Sequence, residues 1–343
     1  MTRDSTSAKS KYGAGRRLAA IAVNDSLKEG FLPGFAAPYV VEPFDGERGL
    51  EGWISEHSER VRDLCAEHGA VLIRRAFEPD LEALKGAVSA LFPTLEEYTE
   101  KSTPRKKLSD GLYTSTEYPQ DLCIPQHHEH SYSISPARRI MFGCIVPAKV
   151  GGCTPIADGE KVLARLSPDI VQKFEDLGVM YVRNLGLGVD LGWEEVFGTS
   201  NKDEVEKYCT ESGLEYEWVT ASHLRTKQVL AATLIHPERG HRVWFNQLHL
   251  FHVSSLGAEA EFALRTTFDE CYLPRNTYYG DGSPIEPSVL DAVRGALSEE
   301  SIRFAWMPGD LMILDNLRFT HGRDPFEGPR QIVVSLSGKY SRR

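Results

Sequence analysis

The segment PQHHEHSYS, residues 125–133, places three histidines and one glutamate in four consecutive positions. If this segment is extended, successive side chains point to opposite faces of the strand. His127 and Glu129 then share one face, and His128 and His130 share the other. A His-x-Glu pair on one face can supply two ligands to a single metal ion, so the segment predicts a metal site.

The third ligand must come from a distant part of the chain. His321, in LDNLRFTHGRDPF (314–326), follows a predicted strand near the C-terminus and is the candidate. Two imidazoles and one carboxylate form the facial triad, with three open positions, of non-haem Fe(II) oxygenases. Spacing alone does not exclude the alternative pair His128 and His130. Other histidines are equally available as the third ligand on spacing: His223, His236, His241, His249 and His252.

The chain has 343 residues, of which 41% are hydrophobic and 26% charged, and its net charge is −10. This composition is ordinary for a globular protein that builds its core without disulfide or metal support. Basic residues are scattered among more numerous acidic ones, which argues against a nucleic-acid partner. No apolar run approaches the ~20 residues of a membrane-spanning helix, which argues against a membrane partner. The oligomeric state is not determined by the sequence.

The N-terminal residues MTRDSTSAKSKYGAGRR (1–17) are polar and basic and lack the apolar stretch of a secretory signal. Six cysteines occur without any CxxC pair, as expected of reduced thiols. We therefore expect a cytoplasmic protein with a flexible arm over residues 1–30 and a single domain over residues 31–343.

Hydrophobic periodicity predicts helices over 47–67, 80–92 and 167–178. Gly69 is the expected stop of the first helix, and Ser167 is the expected N-cap of the third. Strands are predicted where β-branched and aromatic residues concentrate, at 70–77, 140–148, 179–185, 241–247, 303–307, 311–315 and 330–340, with a turn at 307–310. The result is a mostly-β body with flanking helices. An insertion at roughly 186–300, expected to be rich in loops and short helices, is a candidate substrate lid.

Several motifs follow one another in a fixed order: TEYP (116–119), HHEHSY (127–132), Gly-Gly-x-Thr-Pro (151–155), HPERGHRVWFNQLHLFH (236–252), NTYYGDG (276–282) and the block DN…HGR…PF…GPR (315–330). Together they resemble the TauD/TfdA (taurine dioxygenase/clavaminate synthase-like) family of Fe(II)/2-oxoglutarate-dependent oxygenases, and most closely its SyrP-like branch. The resemblance runs from about residue 68 to the C-terminus. It implies a double-stranded β-helix (jelly-roll) core with a large lid-like insertion.

The resemblance assigns His127, Glu129 and His321 to iron, and Thr154 and Arg330 to 2-oxoglutarate. The chemistry of the cosubstrate agrees, because its far carboxylate needs a charged, bidentate partner such as arginine, to which a hydroxyl can add a hydrogen bond. Considered alone, Arg330 would be a surface arginine after a turn and Thr154 a turn residue after two glycines. Their joint occurrence with the triad supports the assignment.

Two departures from the family pattern narrow the range of expected substrates and reactions. The family's taurine enzyme has a sulfonate-binding arginine four residues after the cosubstrate arginine, and Val334 stands there in this chain, which argues against a sulfonate substrate. Related halogenases have glycine or alanine in place of the acidic ligand, so Glu129 argues against halogenation. The resemblance thus implies an enzyme that consumes O₂ and 2-oxoglutarate, releases succinate and CO₂, and hydroxylates an unactivated C–H bond. Desaturation and cyclisation remain alternatives.

By analogy with SyrP-like proteins, the expected substrate is an amino acid or an amino-acid-derived natural-product intermediate, either free or tethered to a carrier protein, as in antibiotic biosynthesis. Residues beside the metal motifs are expected to line its pocket: Tyr113, Ser115, Glu117, Asn246, Gln247, Asn276, Tyr279 and Arg323. For Arg323, support of a loop is an alternative role. For Asp310, Asp315 and Asn316, supporting roles in turns or behind the ligands are expected.

Three competing hypotheses remain at this point. The fold could serve a non-catalytic regulator, although such a protein would not need a cosubstrate arginine. A cupin-type enzyme could use His128 and His130 as ligands without a cosubstrate. A zinc hydrolase could use three nitrogen or oxygen ligands with an open site, but it would leave Arg330 without a purpose.

Overall fold

The computed structural model describes residues 29–42, 50–116 and 118–342. The predicted arm over 1–30 therefore lies almost wholly outside the described residues, as does Glu117. Residues 29 and 30 already belong to the first strand.

The described residues contain helices and strands distributed along the whole chain. The helices are α1 (Leu50–Glu56), α2 (Ser58–His68), α3 (Leu81–Leu91), α4 (Gly159–Arg165), α5 (Pro168–Leu177), α6 (Trp193–Phe197), α7 (Lys202–Ser212), α8 (Leu248–Phe251), α9 (Ala258–Thr267) and α10 (Pro287–Glu299). The strands are β1 (Glu29–Phe31), β2 (Tyr39–Val41), β3 (Ala70–Ile73), β4 (Leu95–Glu96), β5 (Lys107–Ser109), β6 (Leu112–Thr114), β7 (Ile124–His127), β8 (Ala137–Val146), β9 (Val150–Gly151), β10 (Ile156–Asp158), β11 (Val179–Leu185), β12 (Glu215–Trp218), β13 (Leu224–Leu230), β14 (Thr233–Ile235), β15 (Arg242–Trp244), β16 (Arg275–Tyr279), β17 (Leu311–Asp315), β18 (Phe319–Arg323), β19 (Phe326–Glu327) and β20 (Gln331–Lys339).

The largest sheet has the strand order β1-β2-β3-β17-β8-β20-β6-β5, with β4 also paired to β20. Its central strands are buried on both faces. Along β17, Met312 and Leu314 contribute to one hydrophobic cluster, whereas Leu311 and Ile313 contribute to another. The second cluster contains the inward residues of α1, α2 and α3, so these helices cover the outer face of the sheet. Burial on both faces explains why LMIL (311–314) is continuously apolar instead of alternating.

The inner face of the large sheet packs against a small sheet with the order β10-β18-β7. Ile156 of β10 and Phe319 of β18 lie in the same cluster as Leu72 and Ile140 of the large sheet. Two facing, mostly antiparallel sheets with helices outside form the jelly-roll core, and β2 and β3 are a parallel pair at one end of the large sheet. The fold class expected from the sequence is therefore confirmed.

The segment between β10 and β17 forms its own layer. It contains α4 to α10 and a four-stranded antiparallel sheet with the order β12-β13-β11-β16. Between residues 186 and 300 the sequence analysis expected loops and short helices, and it did not foresee that three strands of this sheet lie there. Their long-range pairing, for example Val182 with both Lys227 and Asn276, has no signal in local periodicity.

Most of the predicted elements agree with the structure. Gly69 ends α2 in the left-handed conformation with φ 75°, and the Ser167 hydroxyl accepts a hydrogen bond from the Ile170 amide at the start of α5. The predicted helix 80–92 is α3, with Asp80 as its N-cap. The predicted helix 47–67 is instead two helices, α1 and α2, separated at His57; its residues 47–49 lie outside the described ranges.

Three strand predictions were too long or wrong. The strand predicted over 70–77 ends at Ile73, because Arg74 turns inward to Asp310. The strand predicted over 241–247 is confined to β15. Residues 303–307 form no strand, because their backbone makes no ladder, and an isolated bridge at the preceding Ile302 is the one pairing nearby in the described structure. The side chains of Phe304 and Trp306 nevertheless fill the core between the two sheets.

All six cysteines are unpaired, as expected of reduced thiols. Within the described ranges, no helix combines the length and the apolar character that crossing a bilayer requires.

A buried ion pair connects the turn at 307–310 to the end of β3. The side chains of Asp310 and Arg74 are 0% and 8% exposed, and Asp310 also accepts hydrogen bonds from the backbone amides of Met307 and Arg75. Asp310→Ala should lower the free energy of unfolding by about 3–5 kcal/mol, because the Arg74 charge loses its buried partner. Asp291→Ala, at a side chain that is 76% exposed, should change it by less than about 0.5 kcal/mol. Denaturant unfolding measures both, and equal effects would contradict this account.

Candidate metal centre

The small sheet brings two histidines together from opposite ends of the sequence. β7 and β18 are antiparallel neighbours, and His127 lies directly opposite His321 in their register. The two imidazole centroids are 4.5 Å apart. Glu129 follows β7 by two residues, and one ligand atom from each of the three side chains lies within 4.8 Å of the others. All three residues are buried, and they form the single such cluster in the described part of the chain.

The chain does not continue as an extended strand through Glu129 and His130. β7 ends at His127, and a turn follows in which the Ser131 amide approaches the His128 carbonyl and His130 has φ 54°. The expected sharing of a face by His128 and His130 is therefore wrong. His128 points away from the cluster, with its Nδ1 2.7 Å from the Asn316 carbonyl and its Nε2 2.8 Å from the Trp244 carbonyl. This geometry removes the basis of the cupin-type hypothesis.

Asn316 holds the turn that carries Glu129. Its Oδ1 accepts a hydrogen bond from the Glu129 amide at 2.7 Å, and its Nδ2 donates to the carbonyls of Glu129 and Ala137 at 2.9 and 2.7 Å. Asn316 is fully buried. A carboxamide is the natural group here, because it donates and accepts at once across a short span.

The protonation states suit a divalent cation. His127 Nδ1 lies 2.8 Å from the Pro125 carbonyl, which can only accept, so this nitrogen is the donor and Nε2 keeps its lone pair for a metal. Burial lowers the pKa of His127 to about 3, so the ring is neutral at physiological pH. Burial would raise the pKa of Glu129, but the Arg105 guanidinium and His321 hold it well below its usual range. Two imidazoles and one carboxylate fit Fe(II) with open coordination positions.

The other histidines considered as third ligands each have a ring nitrogen in contact with a polar group outside the cluster. Their ring nitrogens contact the following groups: His223 the Asn184 carboxamide, His236 the Asp315 carboxylate, His241 the Glu160 carboxylate, His249 the Gln126 carbonyl, and His252 the Ser254 hydroxyl. None belongs to the cluster of His127 and Glu129. The antiparallel pairing of β7 with β18, which spacing alone could not reveal, distinguishes His321 from them.

Arg330 and Thr154 lie together at the edge of the same cavity. Arg330 donates from Nε to the Gly152 carbonyl at 3.0 Å, and its Nη2 is 3.4 Å from the Thr154 hydroxyl. Trp306 Nε1 donates to that hydroxyl at 3.1 Å. Gly152 has φ 68°, and a Cβ there would lie 3.1 Å from the arginine side chain, so glycine leaves room for the guanidinium.

The charge of Arg330 has no counter-ion within the described residues. Burial lowers its pKa to about 10, which still leaves the guanidinium charged at neutral pH. No carboxylate among the described side chains lies within 4.0 Å of it, and its polar contacts are a carbonyl and a hydroxyl. A partly buried arginine of this kind is suited to the free carboxylate of a dianion such as 2-oxoglutarate.

One cavity joins the metal cluster to Arg330. Its lining consists of Arg105, Ser115, Thr116, Ile124, His127, Phe142, Thr154, His321, Gly322, Arg323, Arg330, Ile332 and Val334. The apolar members come mainly from the large sheet, and the polar members come from the small sheet and from loops. A small molecule in this cavity would meet the cluster and Arg330 together.

Of the residues expected to contact substrate, the structure brings Ser115 and Arg323 to this cavity. Arg323 also donates to the carbonyls of Tyr118, Pro119 and Leu122, so it supports the loop, the alternative role considered for it. Glu117 lies outside the described residues.

The remaining expected substrate contacts are absent from the cavity lining in the described structure. Tyr113 donates to Glu97, and the Tyr279 hydroxyl donates to Glu286 at 2.6 Å. Three carboxamide residues also lie away from the cavity. The Asn246 side chain donates to the Ala232 carbonyl, the Asn276 side chain donates to Glu270, and the backbone amide of Gln247 donates to the Tyr181 hydroxyl. The hydrogen bonds of Tyr279, Asn246, Asn276 and Gln247 thus lie within the insertion layer, whereas Tyr113 belongs to β6 of the large sheet.

Sequence analysis missed Arg105, whose Nη2 lies 3.0 Å from Glu129 Oε2. It stands in the basic stretch KSTPRKK (101–107), which has no local pattern that distinguishes one cation from its neighbours. Phe142 was also missed, because it lies in the continuous apolar run IMFGCIV (140–146), where no local feature distinguishes it from its neighbours. Its ring centroid is 5.0 Å from that of His321.

Comparison with known proteins gives a consistent picture. The family model "Taurine catabolism dioxygenase TauD, TfdA family" matches residues 38–336. The dapdiamide synthesis protein DdaC of Enterobacter agglomerans is 39% identical over 302 residues, covering 88% of this chain and 91% of that protein. A clavaminate synthase-like protein of Arabidopsis thaliana is 29% identical over 294 residues, with 82% and 86% covered. The solved structure of PvcB from Pseudomonas aeruginosa has a TM-score of 0.51 at 14% identity, with 87% and 85% covered, and supports the fold.

If His127, Glu129 and His321 hold the metal, His321→Ala should lose tight Fe(II) binding, because it removes one of three ligands. His241→Ala is the matched control, since the side chain of His241 is 62% exposed and lies outside the cluster. Anaerobic equilibrium dialysis against Fe(II) measures both. Stoichiometric iron retained by His321→Ala would contradict the assignment.

Asn316→Ala should weaken Fe(II) binding by about 10- to 100-fold, because groups that orient a ligand typically contribute that much. Asn201→Ala removes a helix N-cap on the exposed α7 and should lower stability without changing metal affinity. The same dialysis, combined with thermal unfolding, separates the two effects. Unchanged iron affinity in a folded Asn316→Ala protein would show that the hydrogen bonds to Glu129 are not needed.

Proposed function

Since the chain belongs to the TauD/TfdA family and is a non-haem Fe(II)- and 2-oxoglutarate-dependent dioxygenase, we propose that it hydroxylates an unactivated C–H bond of an amino acid or amino-acid-derived natural-product intermediate. The observation that supports this most is that His127, His321 and Arg330 line one cavity, with a ligand atom of Glu129 within 4.8 Å of those of both histidines.

The proposed roles follow from the contacts. His127, Glu129 and His321 hold Fe(II), and Arg330 and Thr154 bind the far carboxylate of 2-oxoglutarate. When bound, the metal and 2-oxoglutarate supply O₂ activation, with succinate and CO₂ as co-products. Arg330 neutralises one charge of the dianion and orients it, because a guanidinium matches carboxylate geometry at two points.

The cavity walls contribute by excluding water and positioning the substrate. Phe142, Ile332 and Val334 are buried residues of the central strands and form an apolar wall beside the metal cluster. A rigid wall of this kind restricts which C–H bond of a bound substrate lies near the metal, and this positioning is the protein's main contribution to selectivity.

The proposal for the substrate class rests on similarity and on one substitution. DdaC, 39% identical over most of the chain, is named for dapdiamide synthesis, which favours a natural-product intermediate. Val334 lines the cavity where the sulfonate-binding arginine of the taurine enzyme would be expected, which disfavours taurine-like sulfonates. Desaturation and cyclisation are the alternative outcomes on the same site, and the mass of the product distinguishes them from hydroxylation. A non-catalytic role is disfavoured by an arginine positioned for a cosubstrate.

We also propose that residues 31–343 form one domain and that the protein is cytoplasmic. The hydrophobic clusters of the large sheet combine residues from Leu32 to Leu336, which supports one domain. The unpaired cysteines agree with a reducing compartment.

The test is turnover with Fe(II), 2-oxoglutarate and O₂ against a panel of free amino acids and small amino-acid conjugates. We expect substrate-dependent succinate and a product heavier by one oxygen atom in mass spectrometry. A product lighter by two hydrogens would replace hydroxylation with desaturation or ring closure. Absence of succinate from iron-loaded, folded protein under every condition would support the regulator hypothesis instead.

Arg330→Ala should raise the KM for 2-oxoglutarate by about 10- to 100-fold, which is the contribution expected of hydrogen bonds to a charged group. Arg330→Lys should recover part of the loss, because it keeps the charge but not the planar fork. Arg265→Ala, on the exposed helix α9, serves as the control for loss of one cation. Succinate formation at varied 2-oxoglutarate measures KM, and an unchanged KM in Arg330→Ala would remove this arginine from the cosubstrate site.

A further inference from the structure

Arg105 is a buried cation at the metal cluster. Its side chain is 6% exposed, it lines the cavity, and its Nη2 lies 3.0 Å from Glu129 Oε2. The guanidinium carbon is 4.6 Å from the centroid of the Tyr98 ring. Among the described residues, Glu129 is the one carboxylate within ion-pair distance of Arg105. The same carboxylate oxygen is 3.4 Å from His321 Nε2, so Arg105 and the metal site share Glu129.

A metal ion bound to the cluster would weaken the ion pair between Glu129 and Arg105. A carboxylate that ligates a divalent cation directs much of its charge to that cation, which weakens its hold on the neighbouring guanidinium. Arginine has five N–H donors, and the hydrogen bond recorded to Glu129 uses one of its two terminal nitrogens. The rest of the fork is therefore available to a second anionic group.

The overall charge of the cavity also favours the binding of a second anionic group at Arg105. Fe(II) and the 2-oxoglutarate dianion cancel each other, and Glu129 offsets one of the cavity's three arginines. Arg323 is solvated by three loop carbonyls, and Arg330 is positioned for the cosubstrate. With metal and cosubstrate bound, the described cavity still has an excess of positive charge, and Arg105 is the cation beside the metal without a further partner.

The apolar wall of the cavity at Val334 cannot bind an anion. Val334 is 1% exposed, it pairs with Phe142 of β8 and Tyr113 of β6, and it presents an apolar surface to the cavity. A substrate with one apolar part and one carboxylate would fit such a cavity in one orientation, with its apolar part on this wall and its carboxylate at Arg105. Beneath the guanidinium, the Tyr98 hydroxyl is buried and has no hydrogen-bond partner in the described structure.

We propose that Arg105 binds a free carboxylate of the substrate and thereby selects an anionic amino-acid-like molecule. This inference rests on the proposed function and refines it. The group that Arg105 recognises would be lost if that carboxylate were a thioester on a carrier protein, so the substrate enters with this carboxylate free. Arg105 is a specificity-determining residue in this account, and holding Glu129 is its second task.

The test uses protein loaded with Zn(II) and 2-oxoglutarate, which is diamagnetic and does not turn over. Propionate is the probe, because it combines a carboxylate with a short apolar part, and propionamide is its neutral match. Binding is followed by saturation-transfer NMR into the millimolar range for four proteins: the parent, Arg105→Gln, Arg105→Lys and Arg60→Gln. Arg60 is an exposed arginine of α2 that controls for loss of one charge. Metal content is measured for each protein.

We expect the parent and Arg60→Gln to bind propionate at least about 10-fold more tightly than propionamide. Arg105→Gln should lose this preference, and Arg105→Lys should keep part of it with its metal retained. Equal binding of the two probes by the parent would overturn the proposal, and so would an undiminished preference in Arg105→Gln. Loss of Zn(II) from both Arg105 variants would also overturn the proposal, because it would show that Arg105 acts by holding Glu129 and not by binding substrate.

Failure of this inference can be distinguished from failure of the proposed function. If Arg105 does not bind carboxylates, the parent still forms succinate from 2-oxoglutarate with its own substrate. If the proposed function is wrong, the parent forms no succinate, whatever the result with propionate.

Discussion

The antiparallel pairing of β7 with β18 is the constraint on which the rest of the site depends. It sets His127 opposite His321 although 193 positions separate them, and it directs both side chains into the space between the two sheets. The third ligand candidate, Glu129, is not on a strand, so its position depends on the turn after β7 and on the Asn316 carboxamide behind it. Because Asn316 directly follows β17 of the large sheet, the site is fixed to both layers of the jelly roll.

The cavity carries an excess of positive charge. Arg330 lies on its lining without a carboxylate partner among the described residues, and Glu129, the partner of Arg105, also belongs to the metal cluster, whereas buried charges normally have partners of their own. Such an arrangement costs stability in the empty protein and is consistent with a site that acquires its anions from small molecules. The apolar wall of Phe142, Ile332 and Val334 increases this cost to stability, since it keeps water from solvating the cations.

The sequence was most informative where a pattern is local. The helix caps at Asp80 and Ser167, the end of α2 at Gly69 and the buried strand LMILD follow from neighbouring residues alone. The choice between His128 and His127 could not be made this way, because it depends on a turn whose geometry is set by Asn316, far along the chain. Arg105 was missed because no local pattern distinguishes it from the neighbouring cations in KSTPRKK (101–107). The apolar residues around Trp306, which fill the core, led to the prediction of a strand that does not form. Polar residues close to a motif in sequence, such as Asn276, did not identify the substrate pocket, because they form hydrogen bonds within the insertion layer.

The central claim is that one cavity holds Fe(II) and 2-oxoglutarate together. The most direct measurement is the visible absorption spectrum of the purified protein under anaerobic conditions, after addition of Fe(II) and 2-oxoglutarate. The account predicts a weak charge-transfer band that requires both additions and saturates at one equivalent of each, as expected when the keto acid chelates the bound metal. Folded protein that binds iron but develops no band with 2-oxoglutarate would contradict the account.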